Sequence, residues 1–213
     1  MGDNNTLDRG RADPFTSHSP ETSMKIVLHS CCSVCLIEPF RHLHDEGHRV
    51  LAYFFNPNIH PLIEFRRRLK AMKVLEERIP IQVRYDEQYG LRTFLKAVDW
   101  EAGGRCEDCY RLRLQKTADL AAAEGFDAFS TTLLSSQHQH HEMVRRLGNQ
   151  CAAEAGVEFL YRDWRNLAEK SHEEARGMNL YLQQYCGCVF SEYDRYKDTK
   201  KHLYRGAGNQ DSD

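Results

Sequence analysis

Residues 25–35, KIVLHSCCSVC, decide the fold of this chain. They open with Ile26, Val27 and Leu28, a continuous apolar run that is typical of a strand buried on both faces of a parallel sheet. A loop that contains cysteines follows, and a helical pattern then extends to about residue 46, where Gly47 ends it. A buried strand, a short loop and a helix are the beginning of a βαβ unit. This stretch therefore predicts an α/β domain.

The same alternation continues along the chain. Further strands are predicted at 49–55, 81–85, 126–131 and 157–161, and further helices at 61–77, 90–98, 106–125, 139–155 and 167–185. We therefore expect one Rossmann-like (HUP-like) domain, in which helices cover a parallel sheet of about five strands through right-handed crossovers. Such sheets bind ligands at the carboxyl ends of their strands. The loops at 31–35, 56–60 and 132–137 would lie along that edge.

The two ends of the chain differ from its body. Residues 1–23 and 206–213 are polar and poor in apolar side chains, so we expect disordered tails around a domain at 24–205. No apolar run approaches the ~20 residues of a membrane span, and the first residues lack the apolar core of a secretion signal. These features predict a cytoplasmic protein. With 213 residues and 41% hydrophobic side chains, the chain is long enough for one well-buried domain.

Seven of the eight cysteines lie in short clusters. The clusters are Cys31, Cys32 and Cys35; Cys106 and Cys109; and Cys186 and Cys188. In a reducing compartment such groups indicate metal binding or thiol redox chemistry rather than structural disulfides. Cys151 stands alone in a predicted helix, beside Ala152 and Ala153, and we expect it only to pack.

Four of these cysteines have the arrangement of a metal-cluster ligand set. Cys31 and Cys32 follow a strand, and Cys106 and Cys109 open a helix, where the dipole favours an anionic sulfur. Four thiolates are the usual complement of a [4Fe–4S] cluster. Tetrahedral zinc would use the same four sulfurs, and uncoordinated thiols are the third alternative. Zinc would leave the other clustered cysteines without a role, which favours iron and sulfide.

Cys186 and Cys188 are candidates for a redox pair. A disulfide across one residue closes a small, strained ring, and strain makes such a bond easy to reduce. Gly187 between them gives the backbone the freedom to adopt the required angles. Further metal ligands or free thiols are an equally good interpretation. Cys35 lies one helical turn beyond Cys32, where it could hold a second metal or only pack against the sheet.

Other polar groups have two interpretations each. His29 could influence a cluster at Cys31 or be a hydrogen-bonded core histidine, and the histidines at 138, 140 and 141 are more typical of an exposed loop than of a metal site. Basic side chains on the predicted helices could contact phosphate, although such runs are usually solvated faces. They are Arg66, Arg67, Arg68, Lys70, Lys73, Arg111, Arg113, Lys116, Lys197, Lys200, Lys201, His202 and Arg205. The net charge of −2 means that nucleic acid would need such a local patch.

Six stretches together resemble the cobalamin-independent epoxyqueuosine reductase family of the QueH type. They are LHSCCSVC (28–35), YFFNPNIHP (53–61), RCEDCYRLRL (105–114), TTLLS (131–135), FLYRD (159–163) and LYLQQYCGC (180–188). They occur in order over residues 24 to about 195, which is nearly the whole body of the chain. The combination is far more specific than a single pair of spaced cysteines.

The resemblance implies an oxidoreductase that converts epoxyqueuosine to queuosine at the wobble position of tRNA. It implies a [4Fe–4S] cluster on Cys31, Cys32, Cys106 and Cys109, a redox-active pair formed by Cys186 and Cys188, and an extra iron for which Cys35 is the candidate ligand. An electron-donor protein or small reductant would be a partner beside the tRNA. The alternative from the residues alone is a zinc-stabilised nucleic-acid-binding protein without redox activity. A metal-free thiol–disulfide oxidoreductase is the third hypothesis.

Overall fold

The computed structural model describes residues 23–101 and 104–200. These ranges contain one sheet and seven α-helices: β1 (Lys25–His29), α1 (Ser33–Asp45), β2 (Arg49–Phe54), α2 (Leu62–Glu76), β3 (Gln82–Tyr85), α3 (Leu91–Ala97), α4 (Arg105–Ala123), β4 (Ala128–Thr131), α5 (His141–Ala155), β5 (Glu158–Phe159), α6 (Ala168–Gly177) and α7 (Val189–Tyr196). Apart from Ser23, the tails expected at 1–23 and 206–213 lie outside the described residues. Within the described ranges, no helix combines the length and the apolar character needed to cross a membrane.

The five strands form one parallel sheet in the order β3-β2-β1-β4-β5. The central strand β1 pairs with β2 on one side and with β4 on the other, so that Ile26 lies opposite both Val50 and Ala128. The direction in which successive strands are added reverses between β1 and β4, which makes this gap the topological switch point. The predicted Rossmann-like α/β fold with about five parallel strands is confirmed.

The core is built around β1, as the apolar run predicted. Ile26, Val27 and Leu28 are fully buried because neighbouring strands and helices enclose the central strand. Helix α1 packs against α6 and β2, and α4 packs against α5, β1 and β4. Along the β4–β5 edge, the rings of Phe129 and Phe159 have centroids 5.0 Å apart. This packing fixes the strand ends, and therefore the loops that follow them.

Two elements near the C-terminus differ from the prediction. The helix expected at 167–185 ends at Gly177, and α7 was not predicted. Asn179 adopts a left-handed φ of 51°, its N–H donates to the Arg176 carbonyl, and the Leu180 N–H donates to the Ala175 carbonyl. These two bonds are a Schellman helix end, and they allow the Leu180 side chain to enter the core. Residues 178–188 consequently run as irregular chain towards the cysteines of the sheet edge.

Candidate metal and redox site

Hydrogen bonds join the loops that follow β1, β2 and β4. The Cys31 N–H donates to the Thr132 hydroxyl at 3.1 Å, and that hydroxyl lies 3.4 Å from Cys31 Sγ. On the other side, the Asn56 amide donates to the Ser30 carbonyl at 2.8 Å. The carboxyl ends of these three strands therefore form one continuous edge, as the sequence predicted.

Cys31, Cys32 and Cys35 converge at this edge. Their sulfur atoms all lie within 4.8 Å of one another, and Cys31 Sγ is 3.8 Å from Cys32 Sγ. Cys32 is the N-cap of α1, and its sulfur accepts the Cys35 N–H at 3.3 Å. Because metal–sulfur bonds of about 2.3 Å in a tetrahedral site separate the sulfurs by about 3.8 Å, this spacing suits a metal ion. We name these three residues the thiol triad.

The three thiols of the triad differ in the direction of their pKa shifts. Hydrogen bonds from Cys32 and Cys35 hold the pKa of Cys31 well below its usual range. Burial raises the pKa of Cys32, and the hydrogen bond to Cys31 raises that of Cys35. The Gln183 amide completes the group, since its Nε2 donates to Cys32 Sγ at 3.0 Å and lies 3.7 Å from Cys35 Sγ. The arrangement favours one thiolate at Cys31, which is the form that binds metal.

The second cysteine cluster lies in the first turn of α4. Cys109 is buried, and burial raises its pKa to about 12, although Arg113 opposes the shift. The Arg113 guanidinium donates from Nη2 to Cys109 Sγ at 3.3 Å and from Nε to the Cys109 carbonyl at 3.1 Å. Cys106 is partly exposed. Neither Cys106 nor Cys109 is part of the thiol triad. A cluster shared by Cys31, Cys32 and this pair stays a prediction.

The third cysteine cluster occupies the loop between α6 and α7. Cys188 is the N-cap of α7, and its sulfur accepts the Ser191 N–H at 3.4 Å. Cys186 is exposed, and the Gln139 amide approaches its sulfur at 3.6 Å. Gly187 has a φ of 139°, and a Cβ there would meet Ile59, Arg68 and Asn58 at 3.2 to 3.3 Å. The loop thus requires glycine between its two thiols.

Arg68 anchors this loop by donating hydrogen bonds to two of its carbonyl groups. Its side chain is buried, donates from Nη1 to the Cys186 carbonyl and from Nη2 to the Tyr185 carbonyl, each at 2.9 Å, and pairs through Nε with Glu64 at 2.7 Å. Two further bonds tie the loop to His60: the Tyr185 hydroxyl donates to the His60 carbonyl, and the His60 N–H donates to the Gly187 carbonyl. The position of both thiols is therefore set by a charged, buried anchor.

The burial of Arg68 and Arg113 corrects part of the phosphate-contact hypothesis. Arg68 is 2% exposed and Arg113 is 1% exposed, so neither can reach a nucleic acid at the surface. Arg66 and Arg67 directly precede Arg68 but are exposed, because they lie on the outer face of α2. Only the exposed basic side chains of α2 therefore remain candidates for phosphate contact.

Replacing Arg68 by methionine is expected to lower the free energy of unfolding by about 3–5 kcal/mol, because Glu64 would stay buried without its cation. The two loop carbonyls would also lose their donors. Urea denaturation at neutral pH measures the effect. Arg66→Met, two residues away on the exposed face, is the control and should stay within about 0.5 kcal/mol of the wild type. Similar losses in the two variants would contradict the anchoring role.

His138 and His140 are exposed, as expected of a loop, whereas His141 is buried, which corrects that expectation. His29 is fully buried, with Nδ1 at 2.8 Å from the Thr131 hydroxyl and Nε2 at 3.2 Å from the Phe55 carbonyl. Burial, assisted by Arg113, lowers its pKa to about 4, so it is neutral at pH 7. His141 is also buried and bonds the Ser136 carbonyl at 3.1 Å. Among the described residues, no histidine joins a group of three or more compact metal ligands.

Sequence reasoning missed the two amides and the arginine, Arg113, that contact the sulfurs. Gln139 is oriented by Tyr110, whose hydroxyl donates to the Gln139 carbonyl oxygen at 2.7 Å and accepts the His140 N–H at 3.3 Å. This chain of donors leaves the Gln139 NH₂ group for Cys186. A signal for Arg113 was present, since it lies four residues after Cys109 and therefore on the same face of the helix. Gln183 and Gln139 gave no comparable signal.

Comparison with known proteins places the whole body of the chain in one family. The model of the family described as "Epoxyqueuosine reductase QueH" matches residues 26–194. Curated proteins of that name are similar to this chain: one from Dehalococcoides mccartyi is 38% identical, covering 81% of this chain and 94% of the relative. One from Thermotoga maritima is 32% identical, over 80% and 91% respectively, and one from Haemophilus influenzae is 33% identical, over 84% and 76%. With its thiol triad at the carboxyl edge of a Rossmann-like sheet, the chain belongs to the epoxyqueuosine reductase QueH family.

Proposed function

We propose that this protein is an oxidoreductase of queuosine biosynthesis that reduces epoxyqueuosine to queuosine at the wobble position of tRNA, in the cytoplasm. Removing the epoxide oxygen as water leaves an alkene and consumes two electrons and two protons. Family membership supports the reaction, and the relatives carry its name. The observation that supports it most directly is the convergence of Cys31, Cys32 and Cys35 at the edge where α/β sheets bind ligands.

We propose further that Cys31, Cys32, Cys106 and Cys109 hold a [4Fe–4S] cluster and that Cys35 holds an additional iron. The donor set fits, because thiolates are the ligands of such clusters and five thiols lie in the two segments. Arg113 fits as well, since a buried cation beside Cys109 favours an anionic group there. When bound, the cluster supplies electrons one at a time.

Cys186 and Cys188 are the proposed source of the electron pair and of both protons. Oxidation of the two thiols to a disulfide releases two electrons and two protons, which together convert the epoxide to an alkene and water. The exposure of Cys186 gives a substrate access to its sulfur. Two electrons, delivered singly by a one-electron donor protein in two steps or together by a small reductant, and two protons from water then return the disulfide to two thiols. A labile disulfide suits this cycle, and a ring closed across one residue is strained.

The tRNA is proposed to contact the exposed basic face of α2 through Arg66, Arg67 and Lys70. Phosphate contacts of this kind supply affinity that weakens with salt. Because the net charge of the chain is −2, the attraction must come from a local surface rather than from the protein as a whole.

Anaerobic reconstitution with iron and sulfide tests the proposal. We expect about four irons and four sulfides per chain, with one further iron, and the visible and EPR signals of a [4Fe–4S] cluster. The loaded protein with a reductant should convert epoxyqueuosine in tRNA to queuosine, as measured by mass spectrometry of the released nucleosides. Tightly bound zinc, no cluster signal and no conversion would establish the zinc-stabilised alternative instead.

A further inference from the structure

Arg113 is a buried cation without a carboxylate. It is 1% exposed, and among residues 23–101 and 104–200 no Asp or Glu oxygen forms a salt bridge with it. Arg68, the other deeply buried arginine, pairs with Glu64 at 2.7 Å. Burying a guanidinium without an anion costs several kcal/mol, so the surroundings of Arg113 must supply negative charge in another form.

The groups around Arg113 are sulfurs. Its Nη2 donates to Cys109 Sγ at 3.3 Å, and it interacts electrostatically with Cys109, Cys186 and Cys31, one residue from each cysteine cluster. Arg113 also contacts the Cys109 carbonyl, at 3.1 Å from Nε, and the Tyr110 ring, whose centroid is 5.7 Å away, and it interacts electrostatically with His29. None of these three groups carries a negative charge. Among the groups that contact Arg113 or interact with it electrostatically, the sulfurs are the ones that become anionic when they bind a metal as thiolates.

A [4Fe–4S] cluster with four thiolate ligands is itself an anion, and reduction makes it one unit more negative. A fixed positive charge at the edge of the site stabilises both forms, and stabilises the reduced form more. Since Arg113 is shielded from water, its charge is little screened. The geometry is that of a residue that raises a reduction potential rather than one that only fastens a helix.

We propose that Arg113 is the counter-cation of the sulfur site, a positioning residue whose charge retains the anionic cluster and makes it easier to reduce. The proposal rests on the proposed function, since it requires the cluster. It assigns no contact with substrate to Arg113.

The test compares Arg113→Gln with Arg111→Gln, which removes the same charge from the exposed face of the same helix, where Arg111 pairs with Glu154. Both proteins are loaded anaerobically and titrated by EPR. At the wild-type midpoint potential, the ratio of reduced to oxidised cluster should fall at least about tenfold in Arg113→Gln, or ~59 mV for one electron. Arg111→Gln should match the wild type, and Arg113→Lys should recover most of the ratio. Equal midpoints in wild type and Arg113→Gln overturn the proposal.

Urea denaturation of the metal-free protein tests the proposal even where the Arg113 variant binds no cluster. In the reduced, metal-free protein, Arg113→Met should have a urea midpoint equal to or above that of the wild type, because it removes an uncompensated buried charge. A purely structural Arg113 predicts a lower midpoint and overturns the proposal. Loss of iron together with an unchanged metal-free midpoint supports it. Failure of the wild-type protein to bind iron, by contrast, contradicts the proposed function itself.

Discussion

Cys31→Ser and Cys106→Ser are each expected to remove the iron–sulfur cluster. Turnover of epoxyqueuosine should fall at least about a thousand-fold, equivalent to ~4 kcal/mol. Each substitution replaces one of four proposed thiolate ligands by a hydroxyl group, which binds iron in such clusters far less well. Both side chains are partly exposed, so the fold should tolerate the change. Iron and sulfide analysis, EPR and nucleoside mass spectrometry on the same samples measure the outcome.

Cys151→Ala is the control for these variants. Cys151 is buried in α5, outside the three cysteine clusters, and its side chain packs in the core. Its replacement should leave the iron content and the turnover unchanged. Full activity of Cys106→Ser would contradict the cluster assignment and favour thiol chemistry without metal.

Cys186→Ser and Cys188→Ser are each expected to lower turnover about as much as Cys31→Ser does, while the iron–sulfur cluster remains bound. The reason is different, because these thiols are proposed to supply the electron pair and both protons rather than to hold iron. Without added reductant, the wild-type protein should convert about one substrate per chain and gain a disulfide, which mass spectrometry of the alkylated peptide detects. Neither serine variant can form that bond.

Val189→Ala, at the first residue of α7, is the matched control beside this loop. Its side chain is 42% exposed and follows Cys188 directly, so it tests whether a disturbance next to the thiol pair alone affects turnover. We expect normal turnover and a normal iron content. Retained turnover in both serine variants, with the cluster present, would show that the reducing equivalents come from elsewhere.

The regular part of the fold was predictable because it depends on local patterns. The run Ile26-Val27-Leu28 and the following helix predicted β1 and α1, and the alternation of such units predicted a parallel sheet. The end of α6 was not predictable in the same way. The helical pattern continues over 167–185 and does not show that the left-handed Asn179 stops the helix just after Gly177. That end is stabilised by burial of Leu180, a tertiary effect that local propensity does not contain.

The cysteines of the site were identifiable from their clustering, whereas their surroundings were not. The sequence predicted the edge on which Cys31 and Cys32 lie, and their spacing to Cys35 is local. The burial of Arg68 and Arg113 does not follow from the runs of charge alone, because it depends on which face of its helix each residue occupies. Contacts such as Gln183 to Cys32 join residues 151 positions apart, so they depend on the completed packing.

The irregular segment after Gly177 lies late in the chain, which sets an order of events during synthesis. All five strands, and the cysteines at 31, 32, 35, 106 and 109, precede residue 160 of the chain. Gln183, Cys186 and Cys188 leave the ribosome only afterwards. The five strands and the first five thiols therefore emerge from the ribosome before the segment that carries Gln183 and the last thiol pair.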